Sequence, residues 1–246
     1  MPGSNDIRYA RQISLSQIGD AGQARLAAAR VLIVGAGGLG NPAGLYLASA
    51  GVGHLSISDF DRVDASNLPR QILFRETDVG FPKAEIMARR LIELNPNLTA
   101  VGISRRLDEQ AITDEARLAD LVLDCSDNFQ TRWLINRVCH ATTTPLVSGA
   151  AIRFEGQAAV FPFDEHRSPC YRCLYAEDDE NLLDCAGQGI LAPVAGMVGA
   201  LMATEAIKVL IGMPTELAGR LWVYDGLAGS SRTLGISRRD DCPVCG

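Results

Sequence analysis

The sequence predicts an α/β fold in which a mostly parallel sheet carries helices on both faces and continues into a mixed or antiparallel C-terminal half. Three observations predict it. Between residues 31 and 151, short apolar runs alternate with helical segments, which is typical of βαβ units. A glycine-rich turn, GAGGLG, follows the first run. After residue 151, the segments EGQAAVFPF and GRLWVYDGLAGSSRTLGI alternate between apolar and polar residues, as antiparallel strands do.

Composition narrows the functional classes. The chain has 246 residues, of which 47% are hydrophobic, so it is long enough for one large domain with a sizeable core. The net charge of −6 argues against a broad surface for nucleic acid or for an anionic membrane. Residues 1–19 carry charges throughout and lack the apolar run of a signal peptide, which predicts a cytoplasmic protein.

One stretch is apolar enough to be compared with a membrane span. Residues 190–212 approach the required length, but they include Pro193, Glu205, Lys208 and several glycines. We interpret this stretch as a buried helix and expect no membrane partner.

We predict a single domain over residues 1–246 with three parts. Residues 1–30 are predicted to form a helical N-terminal arm. Residues 31–151 are predicted to form the half in which strands and helices alternate, and residues 152–246 the half with a mixed sheet. Strands of the alternating half are predicted at VLIVG, HLSISDFD, residues 98–104, LVLDCSDN and TPLVSGAA. Helices are predicted between them, near residues 41–50, 82–94, 109–119 and 128–141.

The first predicted strand leads into the glycine-rich turn. Gly35, Gly37 and Gly40 have the spacing G-x-G-x-x-G, and Gly38 adds a further glycine. Between a strand and a helix, such a turn directs backbone N–H groups and the positive end of the helix at a phosphate. Asp59, at the end of the second strand, stands where an acid bonds a ribose hydroxyl. Alone, these features predict a Rossmann-like site and favour an NAD(P)-dependent oxidoreductase, with an unliganded tight turn as the alternative.

The residues that follow Asp59 favour a triphosphate instead. The segment DFDRVDASNLPRQ contains Asn67, Arg70 and Gln71, and Lys83 comes twelve residues after Gln71. Two cations and an amide beside the ribose acid suit ATP, because negative charge develops on a departing pyrophosphate. The alternative is that Arg70 and Lys83 are solvated surface cations.

The fourth predicted strand ends in DCSDN, at the sheet edge where ligands bind. Asp127 is placed to hold Mg²⁺ against ATP phosphates, since this ion prefers oxygen ligands. Asn128, the next residue, is assigned to the same nucleotide site. Asp124 is interpreted as a structural turn or cap acid, and the same role is the alternative for Asp127. These candidate nucleotide-site residues together show no evident site for hydride transfer, so the sequence predicts bound ATP with Mg²⁺.

Four of the seven cysteines form two C-x-x-C pairs. They are Cys170 with Cys173 and Cys242 with Cys245. Two such pairs can close a tetrahedral four-thiolate site, whereas one pair alone would suit a redox motif, so we predict bound Zn²⁺. Cys125, in a strand, and Cys139, on a helix, are predicted to be buried packing residues.

The motifs taken together resemble one family. In chain order they are RYARQ, GAGGLG, SDFDRVDASNLPRQ, FPKAE, LDCSDNFQTR, VSGAAIRFEGQ, PCYRCL, CAGQGILAPVAG, EAIKVL and CPVCG. In this order and spacing they resemble the ThiF/MoeB/HesA adenylyltransferases, which are relatives of ubiquitin-activating enzymes. The resemblance covers nearly the whole chain.

The resemblance implies a reaction and its partners. ATP would activate the C-terminal glycine carboxylate of a ubiquitin-like sulfur-carrier protein that ends in Gly-Gly, giving an acyl-adenylate and pyrophosphate before sulfur transfer. It also implies a homodimer, one adenylation domain over residues 1–246, and a separate sulfurtransferase or cysteine desulfurase. The zinc set agrees with the family.

The resemblance further implies roles for single residues. Gly38 and the neighbouring glycines would contact phosphate, and Asp59 would hold the ribose. The residues that would line the phosphates are Asn67, Arg70 and Lys83. Asp127 would coordinate Mg²⁺ and be indispensable. Arg11 resembles an arginine that relatives insert into the ATP site of the neighbouring subunit.

The resemblance leaves two points open. Cys185 matches a cysteine that in some members links covalently to the carrier, and its alternative is a free loop thiol. SGAAIRFEGQ is similar to the molybdenum-cofactor members, whereas RQILF and CPVCG are closer to the thiamine members. A nicotinamide-dependent oxidoreductase and a non-catalytic, zinc-stabilised binding module are the alternatives to the adenylating enzyme.

Overall fold

The central strands form where the sequence has unbroken apolar runs. Residues 31–34 are all buried, because helices cover both faces of the strand that they form. The structure, a computed structural model, describes residues 4–163, 168–175 and 189–246. Its strands are β1 (Arg30–Val34), β2 (His54–Ser58), β3 (Thr99–Ile103), β4 (Leu121–Asp124), β5 (Leu146–Ile152), β6 (Glu155–Phe161), β7 (Arg220–Asp225) and β8 (Ser230–Gly235).

The strands form one sheet in the order β3-β2-β1-β4-β5-β6-β7-β8. The pairs from β3 to β5 are parallel, and those from β5 to β8 are antiparallel. The direction changes at a two-residue turn, where Ile152 pairs with Glu155 and Arg153 has a positive φ of 52°. The predicted α/β fold with a mixed C-terminal half is therefore confirmed.

The helices occupy the predicted connections, and the N-terminal arm is divided into two. They are α1 (Ser4–Ile13), α2 (Gly19–Ala28), α3 (Gly40–Ala50), α4 (Lys83–Leu94), α5 (Glu109–Leu118), α6 (Phe129–Thr142), α7 (Tyr171–Leu174) and α8 (Ala192–Leu210). Two short 3-10 helices, Ala65–Asn67 and Glu76–Asp78, lie in the long connection between β2 and α4.

Two predicted strands are shorter than expected, and the first is HLSISDFD, which was predicted to reach Asp61, whereas β2 ends at Ser58. LVLDCSDN was predicted as a strand to Asn128, but β4 ends at Asp124. There the Asp124 carboxylate accepts hydrogen bonds from the backbone N–H and the hydroxyl of Ser126, which turns the chain away from the sheet. Asn128 then caps α6 by accepting a hydrogen bond from the N–H of Thr131.

The sheet separates two apolar cores. On one face, α3, α4 and α8 pack around a core that includes Ile33, Met87 and Met202. On the other face, α5 and α6 pack around a core that includes Ile135 and Phe161. Cys125 and Cys139 are buried in these cores, as predicted.

The apolar stretch near the C-terminus forms the core helix α8. By length and composition alone, Ala192–Leu210 would also suit a membrane span. In the fold, this helix packs against α3, β5 and β6. The small residues on its path allow close contact: a Cβ on Gly199 would lie 2.5 Å from the carbonyl oxygen of Leu39. Packing within the domain therefore accounts for its apolar composition.

Candidate active site

A cleft of about 670 Å³ lies at the carboxyl ends of β1, β2 and β4. The strand order reverses between the neighbours β1 and β4, and open α/β sheets bind ligands at such a point. The volume suits a small-molecule ligand such as a nucleotide. The predicted site residues that line the cleft are Gly35, Gly37, Gly38, Asp59, Asn67, Arg70, Lys83, Asp127 and Asn128.

The glycine-rich turn forms one wall of this cleft. Gly35 directly follows β1 and has a positive φ of 100°, and a Cβ there would lie 2.6 Å from the carbonyl oxygen of Cys125. A Cβ on Gly40, which begins α3, would clash with the carbonyl oxygen of Gly35. Gly37 is different, because the nearest atom to its added Cβ is Nε2 of Gln71 at 3.8 Å. Gly35 and Gly40 are thus required by the turn, while Gly37 leaves space in the cleft.

Asp59 is fixed against the glycine-rich turn. Its Oδ2 accepts a hydrogen bond from the N–H of Ala36 at 2.7 Å, and its Oδ1 accepts one from the N–H of Asp61 at 2.8 Å. Burial raises the pKa of Asp59, although these two N–H groups and the charge of Lys83 act against the increase. Each carboxylate oxygen keeps a second lone pair for a ligand hydroxyl.

The two predicted cations are held at the cleft by neighbours. Lys83, the first residue of α4, is buried, and its Nζ lies 2.9 Å from Oδ2 of the exposed Asp61. The Arg70 guanidinium donates a hydrogen bond to the carbonyl oxygen of Ser66 at 3.0 Å. For Lys83, the alternative of a solvated surface cation is therefore wrong.

Two buried amides, Asn41 and Gln71, also shape this wall, and of these only Gln71 was named in the sequence analysis. Asn41 donates a hydrogen bond to the carbonyl oxygen of Ala36 and accepts one from the N–H of Leu73, at 2.8 and 2.9 Å. It therefore ties the glycine-rich turn to the segment that carries Arg70. Gln71 is 2% exposed and lines the cleft, and its Oε1 has no partner among the described residues. Asn41 was missed, and the adjacent motif GAGGLG was the available signal for it.

The two aspartates after β4 have different environments. Asp124 is fully buried and accepts hydrogen bonds from the hydroxyls of Ser126 and Ser148 at 2.6 and 3.0 Å, so its predicted structural role fits. Asp127 is exposed at the cleft, and its Oδ1 is 3.3 Å from the amide of Asn128. Its carboxylate oxygens are therefore available to a cation or a ligand.

Sequence reasoning missed a buried arginine beneath the cleft. Arg132 lies 4.0 Å from Asp124 and donates hydrogen bonds to the carbonyl oxygens of Gly149 and Ser126. It lies in the first turn of α6 and has 7% of its side chain exposed. Its position in the motif LDCSDNFQTR was the available signal.

The end of the cleft near β2 and β3 has an apolar character. Phe60, Leu107 and Ile112 line it, and the Cζ of Arg106 lies 4.7 Å from the centroid of the Phe60 ring. Flat apolar and cationic surfaces of this kind suit an aromatic base.

Two predicted catalytic residues do not line the described part of the cleft. Arg11 is exposed on α1, which packs against the opposite edge of the sheet. Cys185 lies outside the described residues. Their predicted roles stay predictions.

The four paired cysteines form a separate cluster. Their Sγ atoms all lie within 4.8 Å of one another, and the Cys170–Cys242 and Cys173–Cys245 pairs are 3.6 and 3.3 Å apart. Four thiolates at about 2.3 Å from one tetrahedral zinc ion require similar separations. The donor set and its geometry therefore fit Zn²⁺.

Comparison with known proteins decides the family. A model of the ThiF family matches residues 9–244, which is nearly the whole chain. The chain belongs to the ThiF family. This confirms the predicted family, and it favours the adenylyltransferase interpretation over the nicotinamide-dependent one.

Relatives and solved structures agree with ThiF-family membership. The sulfur carrier protein ThiS adenylyltransferase of Escherichia coli K12 is 45% identical over 98% of this chain and 95% of that protein. The molybdopterin-synthase adenylyltransferase of Salmonella typhimurium is also 45% identical, over 98% of this chain and 96% of that protein. The crystal structure of E. coli MccB with ATP has a TM-score of 0.84 at 25% identity, covering 100% of this chain and 77% of that one. Equal identity leaves the thiamine and molybdenum branches unseparated.

Proposed function

We propose that this ThiF-family protein uses ATP to adenylate the C-terminal glycine carboxylate of a ubiquitin-like sulfur-carrier protein. The observation that carries the proposal is the joint placement of a glycine-rich turn, Asp59, Arg70, Lys83 and Asp127 around one cleft. Relatives at 45% identity over nearly the full chain are named as sulfur-carrier or molybdopterin-synthase adenylyltransferases, which supports it.

The cleft suggests how ATP lies in the site. The phosphates lie against the glycine-rich turn, where Gly37 leaves room, and the ribose hydroxyls lie at Asp59. The base extends towards Phe60, Leu107 and Ile112. In this orientation Arg70 and Lys83 face the phosphates. Asp59 therefore recognises the ribose, and the two cations recognise the phosphates.

The reaction transfers adenylate to a carboxylate. A carboxylate oxygen of the carrier attacks the α-phosphorus, the bond from this phosphorus to the bridging oxygen breaks, and pyrophosphate leaves with the electron pair. Lys83 and Arg70 stabilise the charge that develops on pyrophosphate. The exposed carboxylate of Asp127 would hold Mg²⁺, which supplies positive charge to the phosphates when it is bound.

The carrier's C-terminal tail enters from the other end of the cleft. Small residues line that end, and they are Ala150, Ala151, Gly189, Ala192 and Ala195. A narrow wall of small side chains leaves space for an extended Gly-Gly tail. Its carboxylate then reaches the phosphates from the side of β5.

Arg11 is proposed to serve the ATP site of a second subunit. Two residues of α1 make hydrogen bonds at the end of the sheet where the parallel strands begin. Tyr9 accepts one from Asn95, which precedes β3, and Gln12 donates one to the carbonyl oxygen of Ala50, which precedes β2. The cleft lies at the carboxyl edge, and a five-residue strand separates the edges by roughly 16 Å. This exceeds the reach of an arginine side chain, which supports a role for Arg11 in the cleft of a partner subunit of a homodimer.

The chain forms one adenylation domain over residues 1–246. Zn²⁺ bound by the four cysteines joins the C-terminal end of the chain to residues 170–173. It acts in the cytoplasm, and a separate sulfurtransferase or cysteine desulfurase supplies the sulfur. Cys185 is the candidate for a covalent link to the carrier.

The test is ATP–pyrophosphate exchange with Mg²⁺. The protein is assayed separately with a thiamine-pathway carrier and with a molybdopterin-pathway carrier, each ending in Gly-Gly. Exchange that depends on one carrier and is lost in Asp127→Ala supports the function and assigns the branch. ATP binding without exchange on either carrier contradicts the proposed substrate, and no ATP binding contradicts the proposed site.

A further inference from the structure

A buried side-chain amide on α6 has an unpaired donor. Asn136 is fully buried, and its Oδ1 accepts a hydrogen bond from the N–H of Tyr171 at 2.8 Å. Its Nδ2 has no acceptor among the described residues. A buried donor without an acceptor destabilises a fold, so such a group calls for a partner that is absent from the protein atoms alone.

The unpaired donor lies beside the four-cysteine cluster. Tyr171, which binds the oxygen of the same amide, directly follows the ligand Cys170. Cys170 is also fully buried. The Asn136 side chain interacts with the Cys170 sulfur, which places the amide at the metal ligand. A metal-bound thiolate at Cys170 is therefore the acceptor that the amide lacks.

We propose that Asn136 is an outer-sphere residue of the metal site, whose Nδ2 donates a hydrogen bond to the Cys170 thiolate in the metal-bound protein. The proposal rests on the zinc site of the proposed function. Partners of this kind orient a metal ligand and tune its donor strength. The same amide holds the N–H of Tyr171, so one side chain fixes both the sulfur atom and the backbone of the first C-x-x-C pair.

The helix that carries the Asn136 amide is anchored to the rest of the domain by a buried arginine. Arg132 lies one turn before Asn136 on α6 and is anchored to the carbonyl oxygens of Gly149 and Ser126. These hydrogen bonds anchor α6 one turn away from Asn136. Because Ser126 lines the nucleotide cleft, α6 also joins the metal cluster to the cleft through one rigid element.

The first test compares Asn136→Leu with a matched control, Asn95→Leu. Asn95 is an equally buried amide, but its Nδ2 donates to Tyr9 and Ala48, away from the cysteines. Zinc affinity is measured by competition with a chromophoric chelator on the full-length protein. Asn136→Leu is expected to weaken zinc binding by about 10–100-fold, and the control to leave it unchanged.

A spectroscopic readout separates hydrogen bonding from loss of structure. In the Co²⁺-loaded protein, loss of an N–H···S hydrogen bond raises the energy of the sulfur electrons, so the sulfur-to-cobalt charge-transfer band of Asn136→Leu moves to longer wavelength. The band of Asn95→Leu stays in place. Unchanged affinity and an unchanged band in Asn136→Leu would overturn the proposal.

A measurement on the unaltered chain guards against a variant that does not fold. Protein labelled with ¹⁵N at asparagine and loaded with ¹¹³Cd²⁺ is expected to show one side-chain amide proton coupled to the cadmium nucleus. Absence of such coupling overturns the proposal for Asn136. Failure of the wild-type protein to bind zinc through four thiolates would instead contradict the proposed metal site itself.

Discussion

The side-chain amide of Asn95 donates a hydrogen bond to the Tyr9 hydroxyl oxygen, 2.8 Å away and 86 residues distant in sequence. The same amide donates to the carbonyl oxygen of Ala48, so the N-terminal helix is fastened to the end of α3. The Tyr9 ring also lies against Gly51, where an added Cβ would be 2.8 Å from ring atoms. These contacts fix the face of α1 and leave Arg11 exposed.

Subunit mixing should show which site Arg11 serves. Arg11→Ala alone is expected to lose roughly 10³–10⁵ in exchange rate, as other arginines supplied in trans do, and Asp127→Ala should also be inactive. A mixture of the two chains, unfolded and refolded together, should recover about a quarter of wild-type activity, because half of the dimers contain one intact site. Pyrophosphate exchange before and after mixing measures the recovery.

The mixing experiment gives a different result if Arg11 acts within its own subunit. If Arg11 served the site of its own subunit, each heterodimer site would lack one of the two residues and the mixture would stay inactive. A mixture of Asp127→Ala with wild type, treated in the same way, controls for refolding.

Alanine at Asp127 should lower the exchange rate, whereas alanine at Asp124 should lower the stability of the fold. Asp127→Ala removes an exposed carboxylate, so the free energy of unfolding should stay within about 0.5 kcal/mol while exchange falls by about 10²–10³-fold. Asp124→Ala leaves the Arg132 guanidinium buried without its counter-ion, so unfolding should become easier by about 3–5 kcal/mol. Urea unfolding and exchange assays on both variants test this, and a large stability loss in Asp127→Ala would contradict it.

The glycine-rich turn and the position of Asp59 could be predicted because they depend on local pattern. An apolar run followed by Gly35 and an acid at the next strand end specify a phosphate turn without knowledge of distant contacts. Arg132 could not be predicted in this way. It looks like any helical surface cation until α6 packs on the sheet and places it 4.0 Å from Asp124. The pairing of Lys83 with Asp61 likewise depends on the path of the connection between β2 and α4.

Gly37 and Gly40 should respond differently to alanine. At Gly40 the new methyl group meets the carbonyl oxygen of Gly35, so Gly40→Ala should lower stability by about 1–3 kcal/mol. At Gly37 the methyl group enters the cleft, so Gly37→Ala should fold normally and weaken ATP binding by about tenfold or more, equivalent to about 1.4 kcal/mol. Thermal unfolding and calorimetry with ATP distinguish the two. Normal ATP affinity in Gly37→Ala would place the phosphates elsewhere.

Asp78 should make stability depend on pH. Burial alone would raise the pKa of Asp78, but hydrogen bonds from Arg90 and the N–H of Arg75, with the charges of Arg90 and Arg89, lower it overall. Its contribution is therefore complete above the unfolded pKa of about 3.9 and is lost as the pH falls further. Asp78→Asn should destabilise by about 3 kcal/mol at pH 7, and the difference from wild type should shrink below about pH 4. Urea unfolding from pH 7 to pH 3 measures it.

A matched control for this pH series is Asp114→Asn. Asp114 is exposed, and its carboxylate accepts a hydrogen bond from the side-chain amide of Gln110, so this change should have a small effect at every pH. If the stability difference between Asp78→Asn and wild type stayed constant as the pH fell to 3, the charge of the Asp78 carboxylate would not be what stabilises the fold here.

Removal of the metal should loosen the C-terminal half. The cysteines join residues 170–173 to residues 242–245, and both segments pack against the core that contains Phe161. Zinc at about 1,000-fold above its Kd stabilises the folded state by about 4 kcal/mol. Cys245→Ser should therefore bind no zinc and melt as chelator-treated wild type does, with no further change on adding chelator. Cys139→Ser, which alters a buried cysteine outside the cluster, should lose stability yet keep one zinc per chain. Metal analysis with thermal unfolding tests this, because zinc retained by Cys245→Ser would exclude a four-thiolate site.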